Sequence, residues 1–237
     1  MEPARRGSAQ APGRTPGRSR EQRIRFIYKP AVFALCLAPF VWIACQAATG
    51  GLGANPIEAL IRSLGDWTLR FLLITLMVSP VAKIFAWPLA MRFRRMIGLF
   101  AFFYAVMHLA TWIAIDQFFA WPLIWAAIVK KPFITIGMLA AVLLLPLAVT
   151  STSAMIKRLG ARRWKRLHML IYPAAILGCV HFYMMVKADV REPLIYAGVL
   201  AGLLAWRVAM RWRPRPAARP VVPTAAERHR GPARPEA

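Results

Sequence analysis

Acidic residues are scarce in this chain. Nine Asp and Glu stand against 32 Lys and Arg in 237 residues. Inside several long apolar blocks charge of either sign is nearly absent, and a soluble domain would alternate polar and apolar faces there. No Gly-x-Gly-x-x-Gly follows a strand-like run and no P-loop occurs, so neither common nucleotide-binding device is present. Cysteine is limited to Cys36, Cys45 and Cys179, all within apolar stretches and at no metal-binding or redox spacing. They read as small packing residues. The basic leader lacks a convincing small-residue cleavage site, so the first apolar block reads as a retained helix rather than a removed signal.

What is there is hydrophobicity in long runs. The apolar share is 59% and the formal net charge +23. That charge could suggest nucleic acid, but the cations gather in the tails and in alternate links between apolar blocks. The pattern is the positive-inside asymmetry of a membrane protein, and no nucleic-acid partner is expected. Six blocks approach the roughly 20 residues that cross a bilayer as helix. They lie near 27–47, 67–88, 94–115, 133–150, 167–186 and 193–210, with Pro80, Pro146 and Pro173 inside three of them. The link after span two carries Lys83, Arg92, Arg94 and Arg95. The link after span four carries Lys157, Arg158, Arg162, Arg163, Lys165 and Arg166, and the final tail begins with Arg207, Arg211, Arg213 and Arg215. The other links are mixed in sign: Glu58, Arg62 and Asp66; Asp116, Lys130 and Lys131; Lys187, Asp189, Arg191 and Glu192. The expected fold is therefore all-α, a polytopic six-helix transmembrane bundle with both termini cytoplasmic. Residues 1–23 and 212–237 read as disordered Arg- and Pro-rich tails around a membrane domain at 24–211.

Three of the four histidines lie in or beside apolar blocks, where an ionisable ring is a functional candidate by default. His108 is in span three; His168 and His181 are in span five. Spans three and five run in the same direction, which puts His108 and His181 at a common depth toward the far side. Paired imidazoles are the usual axial ligands of haem iron. His168 at the cytoplasmic end would need its own partner, and the matching residue, fourteen before His108, is Arg94. Fourteen residues return to within about 40° of the same helix face, about 21 Å lower. The thirteen-residue step from His168 to His181 is less regular and leaves ideal rings about 140° apart unless Pro173 distorts the turn. His229 lies in the tail and has no assigned role. The hydroxyl run Thr150 to Ser153 reads either as a contact for propionates or a flavin phosphate, or as a polar helix end. Trp42, Trp67, Trp87, Trp112, Trp121, Trp125 and Trp206 fall mostly near span ends, as an interfacial belt would.

Several segments together resemble the MsrQ (formerly YedZ) family. They are Arg94-Arg95-Met96-Ile97-Gly98-Leu99 with Ala101 to Ala105 and His108; Lys131-Pro132-Phe133-Ile134-Thr135; Leu147 to Met155; and Leu159 to His168, continuing through Tyr172 to His181-Phe182. The resemblance covers roughly residues 25–210. It implies a haem b membrane subunit of the ferric-reductase-like transmembrane group, in the bacterial inner membrane. Relatives in that group hold two haems with two histidines on each of two parallel helices. This chain matches three of the four positions and carries Arg94 at the fourth, so one haem is expected, or two with unusual ligation. The resemblance also implies FMN, to which no residue is assigned. It implies a periplasmic molybdopterin methionine sulfoxide reductase of MsrP type as acceptor, and a cytoplasmic flavin reductase or quinol as donor. The chain itself would carry electrons without chemistry on methionine sulfoxide or a nicotinamide site of its own. Two rival readings stand beside this one: another haem-b quinol oxidoreductase or ferric reductase, and a transporter or assembly factor whose histidines serve substrate or packing.

Overall fold

The computed structural model describes residues 21–186 and 188–212, and among these every regular element is helical. A π-helical turn at Ile24–Tyr28 leads into α1 (Lys29–Ala48). Then come α2 (Pro56–Ile84), α3 (Arg94–Thr111, extended by a π-turn at Trp112–Asp116), α4 (Trp121–Lys130), α5 (Pro132–Val149), α6 (Ser153–Leu167), α7 (Ile171–Met185) and α8 (Arg191–Trp212). Six helical stretches are long and apolar enough to cross a membrane. Large apolar side chains such as Leu35, Val142 and Ile195 face outward, as a lipid solvent allows. The predicted tails lie outside the described residues, with Lys187, Arg213, Arg215 and His229, except that Glu21–Arg23 and Trp212 are helical.

Three boundaries differ from the sequence reading for identifiable reasons. Helix α2 starts eleven residues before the expected 67, so Glu58, Arg62 and Asp66 are helical rather than linking. Asn55 caps it through the Glu58 N–H and donates back to the Glu58 carboxylate, Pro56 supplies a preset φ, and Arg62 pairs with Glu58 one turn on at 2.6 Å. An apolar window misses this polar first turn. The second difference is the basic link, which is itself the helix α6. Thr152 caps it through the Met155 N–H, and Gly160 breaks it at φ 75°, a backbone that favours glycine. None of its residues is buried, so it lies along the surface. Third, span five does not start at 167: a 3₁₀ turn at His168–Leu170 precedes α7. Pro173 therefore sits in the first turn of α7, where its missing N–H costs nothing, and it kinks no helix. The short α4 was not anticipated at all.

The core is built on α2 and α3, which form one intimate pair; α5 and α7 form another. Tyr104 of α3 is fully buried, and its ring stacks on Phe71 of α2 with centroids 5.1 Å apart. Its hydroxyl accepts from the Phe40 N–H and donates to the Cys36 carbonyl, both at 2.9 Å. In an unbroken helix those two backbone groups would bond each other, so Tyr104 is spliced into the ladder of α1 beside Pro39. Pro80 leaves a similar gap in α2, because it cannot donate to the Leu76 carbonyl one turn back. Arg207 of α8 fills it, Nη2 donating to that carbonyl at 2.7 Å. Arg207, expected at the start of the tail, is thus a helix-packing residue.

Candidate functional site

Between the α2–α3 and α5–α7 pairs lies a cavity lined almost wholly by apolar side chains. His108 enters from α3 and His181 from α7, one from each pair. Their ring centroids are 6.3 Å apart and the rings are inclined at 79°. Two imidazoles sharing one metal ion, with bonds of about 2.0 Å and ring radii of about 1.1 Å, place their centroids about 6 Å apart. The spacing therefore suits a single ion between them.

Both rings are fixed by the same device. His108 Nδ1 bonds the Ile61 carbonyl of α2 at 2.9 Å, and His181 Nδ1 bonds the Phe133 carbonyl of α5 at 2.7 Å. A carbonyl can only accept, so Nδ1 carries the proton in both rings and Nε2 keeps its lone pair for a metal. One helical turn beyond each carbonyl stands a glycine. A Cβ on Gly65 would lie 3.2 Å from the His108 ring, and one on Gly137 would lie 2.8 Å from His181 Nδ1. The absent side chains let the Nδ1–Cε1 edge of each ring come close to the helix that supplies its carbonyl. Sequence reasoning missed both glycines. The available signal was an isolated glycine inside an apolar helix, which usually marks a close approach.

No group of three or more His, Cys, Asp or Glu able to hold a metal occurs among the described residues. His108 and His181 are the two imidazoles that line the cavity. Arg62 and Asp66 line this cavity and also an open cleft beside it, with Glu58, Asp189 and Glu192. This is the end of the bundle where charges of both signs occur.

The structure keeps His168 and Arg94 away from that cavity, at the opposite and basic end. The His168 ring stacks on Trp164 with centroids 3.9 Å apart, and its Nδ1 bonds the Trp164 carbonyl at 3.1 Å. Its Nε2 has a long contact of 3.5 Å with Ser151 Oγ. Because His168 belongs to the 3₁₀ turn and not to α7, the angle expected from an ideal helix does not apply. Arg94 donates to Ser79 Oγ of α2 at 3.2 Å. Like His108, it is directed onto α2. The hydroxyl run is spent locally: Thr150 and Ser151 donate to the carbonyls four residues back, and Thr152 caps α6. That is the polar helix end, not an open ligand. Among the tryptophans, Trp42, Trp87, Trp121 and Trp125 are exposed near helix ends, whereas Trp67 packs against Tyr104 in the core and Trp112 lines the cavity.

A multi-pass helical bundle with two facing histidines in an apolar cavity is an architecture for holding a planar metal cofactor within a membrane. Residues 64–179 match the family described as ferric reductase like transmembrane component. Curated relatives are similar over most of the chain. The protein-methionine-sulfoxide reductase heme-binding subunit MsrQ of Rhodospirillum rubrum is 56% identical over 178 residues, covering 75% of this chain and 86% of that protein. The subunit of the same name from Caulobacter vibrioides is 50% identical over 177 residues, covering 75% and 84%. That from Herminiimonas arsenicoxydans is 46% identical over 191 residues, covering 80% and 88%. The chain belongs to the MsrQ family.

Proposed function

We propose that this protein is a haem b electron-transfer subunit of the bacterial inner membrane, with His108 and His181 as the axial ligands of one haem. The observation that carries the reading is the paired geometry: a 6.3 Å ring separation, both Nδ1 protons committed to carbonyls, and an apolar cavity between. The donor set fits the group, because a porphyrin brings the four nitrogens that the protein does not provide. When bound, a haem held by His108 and His181 would supply one-electron chemistry with no position left for substrate. The chain's own contribution is to fix both Nε2 lone pairs, exclude water with apolar walls, and hold the site toward one face of the membrane.

The basic end, with α6, Arg95 and Arg166, faces the cytoplasm by the positive-inside asymmetry, and both termini lie on that side. The cavity then opens toward the periplasm. Electrons come in from a cytoplasmic flavin reductase or from quinol near His168 and Arg94. They leave toward a periplasmic MsrP-type molybdoenzyme that repairs oxidised methionine. His168 Nε2 retains a lone pair for a second haem. Arg94, always protonated, suits the carboxylates of such a group better than its iron. FMN belongs to this reading through the family only.

The test is optical. Purified protein should show a b-type band that sharpens on reduction and is lost in both His108→Ala and His181→Ala. A colourless protein, or an unchanged low-spin band in both variants, overturns the assignment. Reoxidation of the reduced protein by an MsrP-type partner in preference to ferric chelates separates this role from a ferric reductase.

A further inference from the structure

Between α3 and α5 lies a helix too short to cross a membrane and too apolar to stand in water. Helix α4 has ten residues, about 15 Å of helix. It carries no charged, amide or hydroxyl side chain before its last residue, Lys130. An apolar stretch of this length is either a core helix or a segment seated at the membrane interface. The core alternative fails, because Ile124 is its one buried residue. Trp121, Trp125 and Val129, each one turn from the next, form a stripe and are 62%, 69% and 65% exposed. Phe118 and Phe119, just before the helix, are exposed as well. Both hold a left-handed backbone, φ 46° and 57°, which bulky residues adopt only at a cost.

Lipid and a protein partner are the two surroundings that cover such a surface. The backbone favours lipid. In the turn between α3 and α4, the N–H groups of Gln117, Phe119 and Ala120 donate to the carbonyls of Trp112, Ile113 and Gln117 at 2.9, 3.0 and 2.9 Å. Pro122 has no N–H to satisfy, and Ile124 donates to the Ala120 carbonyl. Hydrocarbon demands a backbone closed on itself in this way, and water does not. The side chains also continue an existing lipid surface. Ile115 at the end of α3, and Leu139 and Val142 on α5, are exposed on the spans to either side. Tryptophan is at home at headgroup depth, and Lys130 and Lys131 end the apolar run with charges on stems long enough to reach the headgroups. A docking face kept in water between encounters would carry a polar rim, and α4 has none before Lys130.

We propose that α4, with Phe118 and Phe119, is seated in the bilayer interface at the end of the bundle remote from α6, its aromatic and aliphatic side chains among the lipid chains. The helix leads through Lys131 into α5, and Thr135 Oγ donates back to the Ile128 carbonyl. The seat thereby also fixes the depth of the Phe133 carbonyl that orients His181. It does not depend on what His181 binds.

The experiment reads depth on the full chain in vesicles of phosphatidylethanolamine and phosphatidylglycerol. With Cys36, Cys45 and Cys179 replaced by alanine, a nitroxide label is attached at Leu123→Cys or Val129→Cys. Leu139→Cys is the lipid-facing reference and Asp189→Cys the water-facing one. At both α4 positions dissolved oxygen, which concentrates in lipid, should relax the label more than an aqueous nickel chelate does, as at position 139 and opposite to position 189. A second measurement keeps the native cysteines. The part of the emission lost in the double variant Trp121→Tyr, Trp125→Tyr should be quenched by phosphatidylcholine brominated on its acyl chains and untouched by iodide. Labels relaxed by the chelate as at position 189, or an emission component open to iodide, overturn the proposal. Chelate access that closes only when a periplasmic protein partner is added would assign the surface to that protein, and overturns it as well.

Discussion

In the cavity each histidine has a carbonyl for its Nδ1 and a glycine beneath its ring, whereas at the basic end His168 and Arg94 rest on whatever polar atom lies nearest: Trp164, Ser151 and Ser79. The first arrangement leaves the Nε2 lone pair of each ring free in an apolar cavity. The second leaves His168 Nε2 with only a long contact. Preorganisation at one end and loose accommodation at the other point to different tasks.

The comparison fails or stands first on haem content. His181→Ala should remove the low-spin band of the cavity, while His168→Ala should leave that band in place. Equal loss in the two variants, read as haem per chain by pyridine haemochrome, would show that the ends are not distinct.

The glycines sharpen it next. Gly137→Ala puts a methyl 2.8 Å from His181 Nδ1, and the neighbouring atoms are a ring and not a flexible chain end. The ring must tilt and its bond to Phe133 must lengthen. Loss of such an orienting partner costs about 10–100-fold in metal affinity. Gly65→Ala meets the His108 ring at 3.2 Å, so a shift of a few tenths of an ångström suffices and the effect should be smaller. Haem retention during dilution, together with the midpoint potential, orders the two. A larger effect at Gly65, or none at either, would remove the positioning role from both.

At the basic end Arg207 supports a broken helix. Truncation to Ala leaves the Leu76 carbonyl without a partner and should cost about 1–3 kcal/mol. Pro80→Ala returns an N–H one turn along, so the double variant should recover most of the loss. Thermal unfolding of the four proteins in one detergent gives the coupling. Strict additivity would mean that Arg207 stabilises through something other than this carbonyl.

How much of this could be read from the sequence follows from what each feature needs. The six spans need only a run of apolar residues, and the structure has all six. His108 and His181 stand out because an imidazole in hydrocarbon is conspicuous by itself. Gly65 and Gly137 are not conspicuous, since a missing side chain matters only once the facing ring is known. Arg207 was read as a tail charge because its acceptor, Leu76, is 131 residues away and exists only through Pro80. The early start of α2 was hidden by Glu58, Arg62 and Asp66, whose charges look like a link until Asn55 and Pro56 are recognised as a cap. Local signals were legible, while those that depend on a second helix were not.

Tyr104 provides the smallest expected effect and the finest test of that distinction. Its hydroxyl separates the Phe40 N–H from the Cys36 carbonyl, so Tyr104→Phe removes a partner from both. The two groups belong to the same helix turn and can close on each other when the hydroxyl is gone. The net cost should therefore be near the lower end of the range for a buried hydrogen bond, about 1 kcal/mol or less. Helix α1 packs on α3 away from the cavity, so the haem band should not move. A loss as large as that of Arg207→Ala would mean that α1 cannot close its own ladder beside Pro39, and that the tyrosine holds the helix open as part of the fold.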